Sequence, residues 1–183
     1  MSTYHHGGLR AALLQAAGDL LEKQGLAALS LREAARRAGV SHNAPYRHFP
    51  DRDALLASLA SEGYRQLGEA LKGRAGREMG EAYVRFALGH PNRFRLMFGG
   101  VLAMAAHPEL REAAGATYET LVVAFRAQRD IADPALAAAA AWSLVHGLAQ
   151  LLLDGHFPEA RARDDFVRQV IGAVRFAAAP RPA

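Results

Sequence analysis

Apolar positions recur at helical spacing along nearly the whole chain. Leu9, Ala12, Leu13, Ala16, Ala17, Leu20 and Leu21 mark one face of a first helix over Gly8–Gln24, which Gly25 stops. Ser30-Leu-Arg-Glu33 reads as a capping box. The Ser30 hydroxyl accepts the Glu33 amide and the Glu33 carboxylate reaches back. It opens a short second helix over Leu31–Ala38. In Gly39-Val40-Ser41 the glycine permits a tight turn, Val40 plugs a core and Ser41 caps a third helix over His42–His48. Asp51 caps a fourth, which runs to Leu71 on Leu55, Leu56, Leu59, Leu67 and Leu71. Lys72–Gly76 breaks the pattern. Five further helices are predicted over 77–89, 91–98, 108–128, 134–154 and 163–178, several of them opening on proline, whose fixed φ and missing amide suit a first turn. The tail from Pro180 frays. No segment alternates with a period of two. The prediction is an all-α chain of about nine helices.

The division expected is an N-terminal three-helix unit, residues 1–55, and a helical unit, residues 56–183. Helices of two turns are marginal alone. The first unit therefore needs a shared core, for which Leu13, Leu20, Leu31, Ala35, Val40, Tyr46 and Phe49 are the candidates.

Composition narrows the classes. Apolar residues make up 51% of the 183, enough for a substantial core. The most apolar stretch, Ala135–Leu153, is interrupted by Ser143, His146 and Gln150, so no membrane span is expected. No secretory signal is visible. Without cysteine there are no disulfides or thiolate metal sites, and a cytoplasmic location is expected. Residues 1–52 carry seven Lys or Arg against four Asp or Glu, a net of three positive charges. That balance permits phosphate contact.

The short second and third helices joined by Gly-Val-Ser form a helix-turn-helix. A major groove admits one α-helix, whose N-terminal end meets the base edges. His42, Asn43 and Ala44 stand there: Asn pairs with adenine, His donates or accepts, and Ala touches a thymine methyl. Ser41 caps them. Tyr46, Arg47 and His48 on the next turn, with Arg52 at the start of the fourth helix, suit phosphate. Arg32 can reach a base or a phosphate. Arg36 and Arg37 read as a solvated face. One residue is at odds with this scheme. Pro45 cannot donate an i→i−4 bond to the Ser41 carbonyl, so the first turn of the third helix is expected to be distorted or 3₁₀-like. A helical module that binds no DNA stays open on that account.

Catalysis and metal binding find no support. There is no nucleophile elbow and no H-E-x-x-H, and the histidines lack ligand spacing. No cofactor, metal or enzymatic activity is expected.

The run Ser30-Leu-Arg-Glu-Ala-Ala-Arg-Arg-Ala-Gly-Val-Ser-His-Asn-Ala-Pro-Tyr-Arg-His-Phe-Pro-Asp-Arg-Asp-Ala-Leu-Leu56 resembles the DNA-binding domain of TetR-family transcriptional regulators. Tyr4-His-His-Gly-Gly-Leu-Arg10 resembles the start of a subset of that family. Tyr83–Phe98 and Trp142-Ser-Leu-Val-His146-Gly147 are similar to members with a Trp…His-Gly signature. The family carries a large apolar residue where Pro45 stands here. The resemblance implies an all-α homodimer, a repressor in the family's manner, that binds a near-palindromic operator and is released by a small effector in its C-terminal domain. Phe94, Met97, Phe98, Met104, Tyr118, Phe125, Trp142 and His146 are the candidates to line the effector site, although each also suits an ordinary core. The broad apolar surface of Ala135–Leu153 and the Phe166, Val167, Val170, Ile171, Val174 face of the last helix are expected to build the dimer. Gly147, costly in mid-helix, is expected where helices approach closely.

Overall fold

The computed structural model describes residues 6–128, 131–157 and 164–174. The Tyr4-His5 opening, the end of the predicted last helix beyond 174 and the Pro180 tail lie outside them. Among the described residues there are eight α-helices: α1 His6–Gln24, α2 Leu31–Arg37, α3 Arg52–Leu71, α4 Gly76–Gly89, α5 Pro91–Phe98, α6 Pro108–Arg126, α7 Pro134–Leu153 and α8 Asp164–Ala173. No strand occurs among them. Three short 3₁₀ segments intervene. One of them, Ala44–Arg47, replaces the predicted third helix.

Two compact units emerge. The first takes residues up to Tyr64 with His90–Ala113; the second takes Arg65–Gly89 and residues from Ala114 onward. In the first, α1 packs against α2 and α5. Leu13, Ala17, Leu20 and Leu21 of α1 are buried, with Leu31, Ala34 and Ala35 of α2, Leu55, Leu56 and Leu59 of α3, and Phe94 of α5. Two polar ties secure the junction of α1 and α5. The Asn92 amide donates to the Glu22 carbonyl at 3.0 Å. The Glu22 carboxylate accepts the Arg93 backbone N–H at 3.2 Å and lies 3.7 Å from the Arg93 guanidinium. The Tyr64 hydroxyl donates to the Met97 carbonyl at 3.1 Å, and burial pushes its pKa up to about 12, so it remains a donor. Arg10, unremarkable in the sequence, donates to the Ser58 hydroxyl at 3.1 Å and lies 5.4 Å from the centre of the Phe49 ring.

In the second unit α4 lies against α7 and α8, burying Met79, Tyr83, Val84 and Ala87. Proline opens α5, α6 and α7 as expected. Asp133 caps α7: one carboxylate oxygen accepts the Ala135 and Leu136 amides, both at 3.0 Å. By length and hydropathy α7 is the one helix among the described residues that could cross a membrane. Inside the chain it buries Ala138, Val145, Leu148, Ala149 and Leu152 and leaves much of its remaining apolar surface uncovered. Leu136 is 67% and Leu151 43% exposed. Among the described residues the close approach expected at Gly147 is not made: a Cβ there would meet nothing within 4 Å.

Removing the α7 cap tests this account. Asp133→Ala leaves two amides of the first turn without their acceptor and is expected to cost about 1 kcal/mol, read as a lower unfolding midpoint with unchanged helix content at low temperature.

Candidate nucleic-acid interface and apolar cavity

The helix-turn-helix segment begins as the pattern requires. The Glu33 amide donates to the Ser30 hydroxyl at 3.1 Å. The reciprocal arm of the capping box does not form. The Glu33 carboxylate instead takes the Arg36 guanidinium at 2.8 and 2.6 Å, with Arg37 at 3.5 Å. The Arg36 hydrogen bond holds the Glu33 carboxyl below its ordinary range. Arg36 and Arg37 thus share one carboxylate inside their own helix, which leaves one net positive charge among the three.

The turn closes as a Schellman motif. The Val40 N–H donates to the Ala35 carbonyl at 3.0 Å and the Gly39 N–H to the Arg36 carbonyl at 3.3 Å. Gly39 adopts φ 69°, which its missing Cβ allows. Val40 is half-buried, a weaker plug than expected.

Beyond Val40 the backbone winds more tightly than an α-helix. Pro45 has no amide, so the Ser41 carbonyl is taken one residue earlier, by the Ala44 N–H at 3.0 Å. That i→i−3 bond starts a four-residue 3₁₀ segment. It ends where the His48 and Phe49 amides both donate to the Pro45 carbonyl at 2.9 Å. The distortion expected of the first turn extends over the whole element. Asn43, not Ser41, stands at the N-cap of this segment, and it makes no side-chain cap bond; Ser41 contributes only its carbonyl, to the Ala44 N–H. Pro45 occupies the inward position and is buried. The next residue in a 3₁₀ turn is rotated by about a third of a turn, so Tyr46, assigned to the core from the sequence, is 48% exposed. Phe49 is buried as expected.

The segment therefore displays Ser41, His42, Asn43, Tyr46 and Arg47 to solvent, with Ala44 and His48 half-buried and Arg32 exposed on α2. Arg52 differs from its sequence reading. Its Nε donates to the Leu29 carbonyl and its Nη2 to the Leu26 carbonyl, both at 2.8 Å. It is a staple holding the Leu26–Leu29 loop to the start of α3, with two guanidinium N–H groups committed there. Asp51 caps α3 as predicted, accepting the Ala54 amide at 2.8 Å.

The eight effector-site candidates divide between the two units. Phe94, Met97, Phe98 and Met104 belong to the first unit, where the Phe94 and Phe98 rings pack at 4.8 Å and Met104 is largely exposed. Tyr118, Phe125, Trp142 and His146 belong to the second. That unit holds a cavity of about 200 Å³. Only Phe125 of the eight lines it, with Leu71, Met79, Tyr83, Leu121, Leu144 and Val145 among the other walls. Trp142 and His146 stand behind Tyr83. The Trp142 indole N–H donates to the Tyr83 hydroxyl at 3.0 Å, and that hydroxyl lies 2.9 Å from His146 Nδ1. The hydroxyl thus links the indole and the imidazole, the direction of its bond to Nδ1 following the histidine tautomer. Tyr118 stacks 5.6 Å from Trp142 and donates to the Ala135 carbonyl at 3.0 Å. Tyr83 escaped sequence reasoning. Its signal was a polar-tipped aromatic on the buried face of Gly76–Gly89.

An all-helical chain with an N-terminal helix-turn-helix and a separate helical unit containing a cavity defines a class: the one-chain transcriptional regulators. Residues 13–59 match the family model of the tetR family of bacterial regulatory proteins, and residues 77–174 match that of the tetracyclin repressor-like C-terminal domain. The chain belongs to the TetR family of transcriptional regulators. A protein with unknown function from Rhodococcus sp. RHA1 is 37% identical over 94% of this chain and 96% of that one, with a TM-score of 0.79. SCO4313 is 26% identical over 91% of this chain and 95% of its own, with a TM-score of 0.71. The HTH-type transcriptional repressor Rv3405c of Mycobacterium tuberculosis is 45% identical over 49 residues. That stretch spans 27% of this chain and 26% of the repressor.

Pro45→Ala restores an amide that can reach the Ser41 carbonyl. It is expected to add about one turn of α-helix by circular dichroism and to change DNA affinity, with the fold retained. Burial lowers the pKa of His146. A depressed histidine contributes stability that is present above the ordinary value of ~6.5 and lost as pH falls through the folded pKa. The unfolding midpoint is expected to decline on acidification below neutrality, and His146→Gln to make that decline shallower.

Proposed function

We propose that this chain is a ligand-responsive repressor that binds a near-palindromic operator as a homodimer in the cytoplasm and has no enzymatic activity. The observation that carries the DNA-binding part is the exposed run His42, Asn43, Tyr46 and Arg47, held outward by a buried Pro45 and Phe49. Asn43 and His42 suit base edges, Ala44 a thymine methyl, and Ser41, Tyr46, Arg47, His48 and Arg32 the backbone. Arg52, committed to two carbonyls, supports the element instead of gripping phosphate.

The dimer reading draws on α7 and α8. Leu136, Leu151 and Val174 are exposed, and the open space at Gly147 leaves room for a second helix to approach. Two copies meeting there would cover the apolar surface and set two half-sites about one helical turn apart, ~34–36 Å. A 3₁₀ segment in the reading position also supports a second reading, a helical module without DNA affinity, which selection of binding sites from random duplexes separates from the first.

Arg32→Ala and Arg47→Ala are each expected to weaken binding to every sequence and to reduce the salt slope by about 1. Asn43→Ala is expected to relax preference at one base pair. Arg52→Ala is expected to lower stability by about 1 to 2 kcal/mol, with little change in salt slope. Unchanged affinity in both the Arg32 and Arg47 variants counts against the interface. In sedimentation, the chain is expected to be a dimer at micromolar concentration and Leu151→Glu a monomer; a monomeric parent chain rejects the α7–α8 assembly.

A further inference from the structure

Resting on the reading that the second unit houses the effector site, we propose that the effector is a small uncharged molecule, an apolar body of about one or two rings bearing at most one hydrogen-bonding group. The cavity measures about 200 Å³. An apolar cavity of ~150 Å³ accepts benzene, so this one has room for an aromatic ring or slightly more. Its described walls include no Asp, Glu, Lys, Arg or His. A charged guest would lose its hydration with no counter-charge among them. The Tyr83 hydroxyl does not fill that role, being engaged by the Trp142 indole and His146. What remains polar in the described lining side chains is the Gln128 amide, an exposed group that can meet one hydroxyl or N–H of the guest. Phe125 and the Tyr83 ring offer aromatic faces, and Met79 a soft thioether that adapts to shape.

A neighbouring hollow shares Met79 and Ala124 with the cavity and carries Lys72, Arg74 and Glu119. Two of these charges are already paired: Lys72 lies 3.4 Å from Glu69 and Glu119 pairs with Arg126 at 2.6 Å. Arg74 donates to the neutral Ala70 carbonyl and keeps its charge, and the benzoate probe below reads whether it draws an anion.

The full chain is titrated calorimetrically with four probes of one shape: toluene, p-cresol, benzoate and benzylammonium. The neutral pair is expected to bind, and the charged pair on the order of 100-fold more weakly. Ala141→Phe, which fills the cavity from α7, is expected to lose at least roughly tenfold in affinity for the neutral pair; Ala124→Leu, filling it from α6, serves if the first variant does not fold. Equal or tighter binding of benzoate or benzylammonium overturns the proposal. So does neutral binding that survives both filled variants, or no neutral binding. Release from operator DNA is read separately. Neutral binding lost in the filled variants upholds the ligand class even without release, and that combination rejects the effector reading alone. Absent neutral binding in a chain that still holds DNA overturns the class alone.

Discussion

Seven residues of α-helix do not hold themselves together in water, and four residues of 3₁₀ helix do so even less. Everything the first unit offers to a partner depends on burying these two fragments against something longer. α1 packs on α2 and α2 on the 3₁₀ segment, with Leu13 and Leu20 buried along with Leu31, Ala35, Pro45 and Phe49. Around the apolar contact sits a ring of polar fastenings: Arg10 at Phe49, Arg52 on the Leu26–Leu29 carbonyls, Asp51 on α3. The exposed residues can be polar and loosely packed because so little of the fixing is asked of them.

The second unit inverts this arrangement. Its helices are long enough to persist, and its interior is left incompletely filled. Tyr83 reconciles the two demands. Its ring walls an apolar space, while its hydroxyl bonds to two half-buried polar neighbours, the Trp142 indole and His146. The cavity is dry-walled because the hydrogen-bonding is done on the far side of the ring.

Helix positions are legible in the sequence because their signals are local. Pro91, Pro108 and Pro134 start helices at the expected residue, and Asp51 caps as predicted. Local signals also foretell trouble at Pro45. The inward turn of Pro45 is not legible, and Tyr46 reads both as core and as a phosphate contact, because a helical pattern is read with a period of 3.6 and the backbone here adopts one of three. Arg52 escapes for another reason: its partners are carbonyls more than twenty residues away, and a sequence does not show which carbonyls a long side chain can reach. The aromatic candidates meet the same limit of local signals. Periodicity tells that Phe94 and Phe125 face inward, not that they face different cores.

The 3₁₀ segment also alters how an anion would be attracted. An α-helix brings aligned peptide dipoles and a cluster of unpaired amides to its first turn, a positive end belonging to the backbone alone. Here one of those amides is absent at Pro45 and another, on Ala44, is spent on Ser41. Four residues align too few dipoles to matter. The electrostatic pull of this element thus resides in side chains that can be exchanged one at a time, and its strength toward a polyanion is open to adjustment by substitution in a way that a backbone dipole is not.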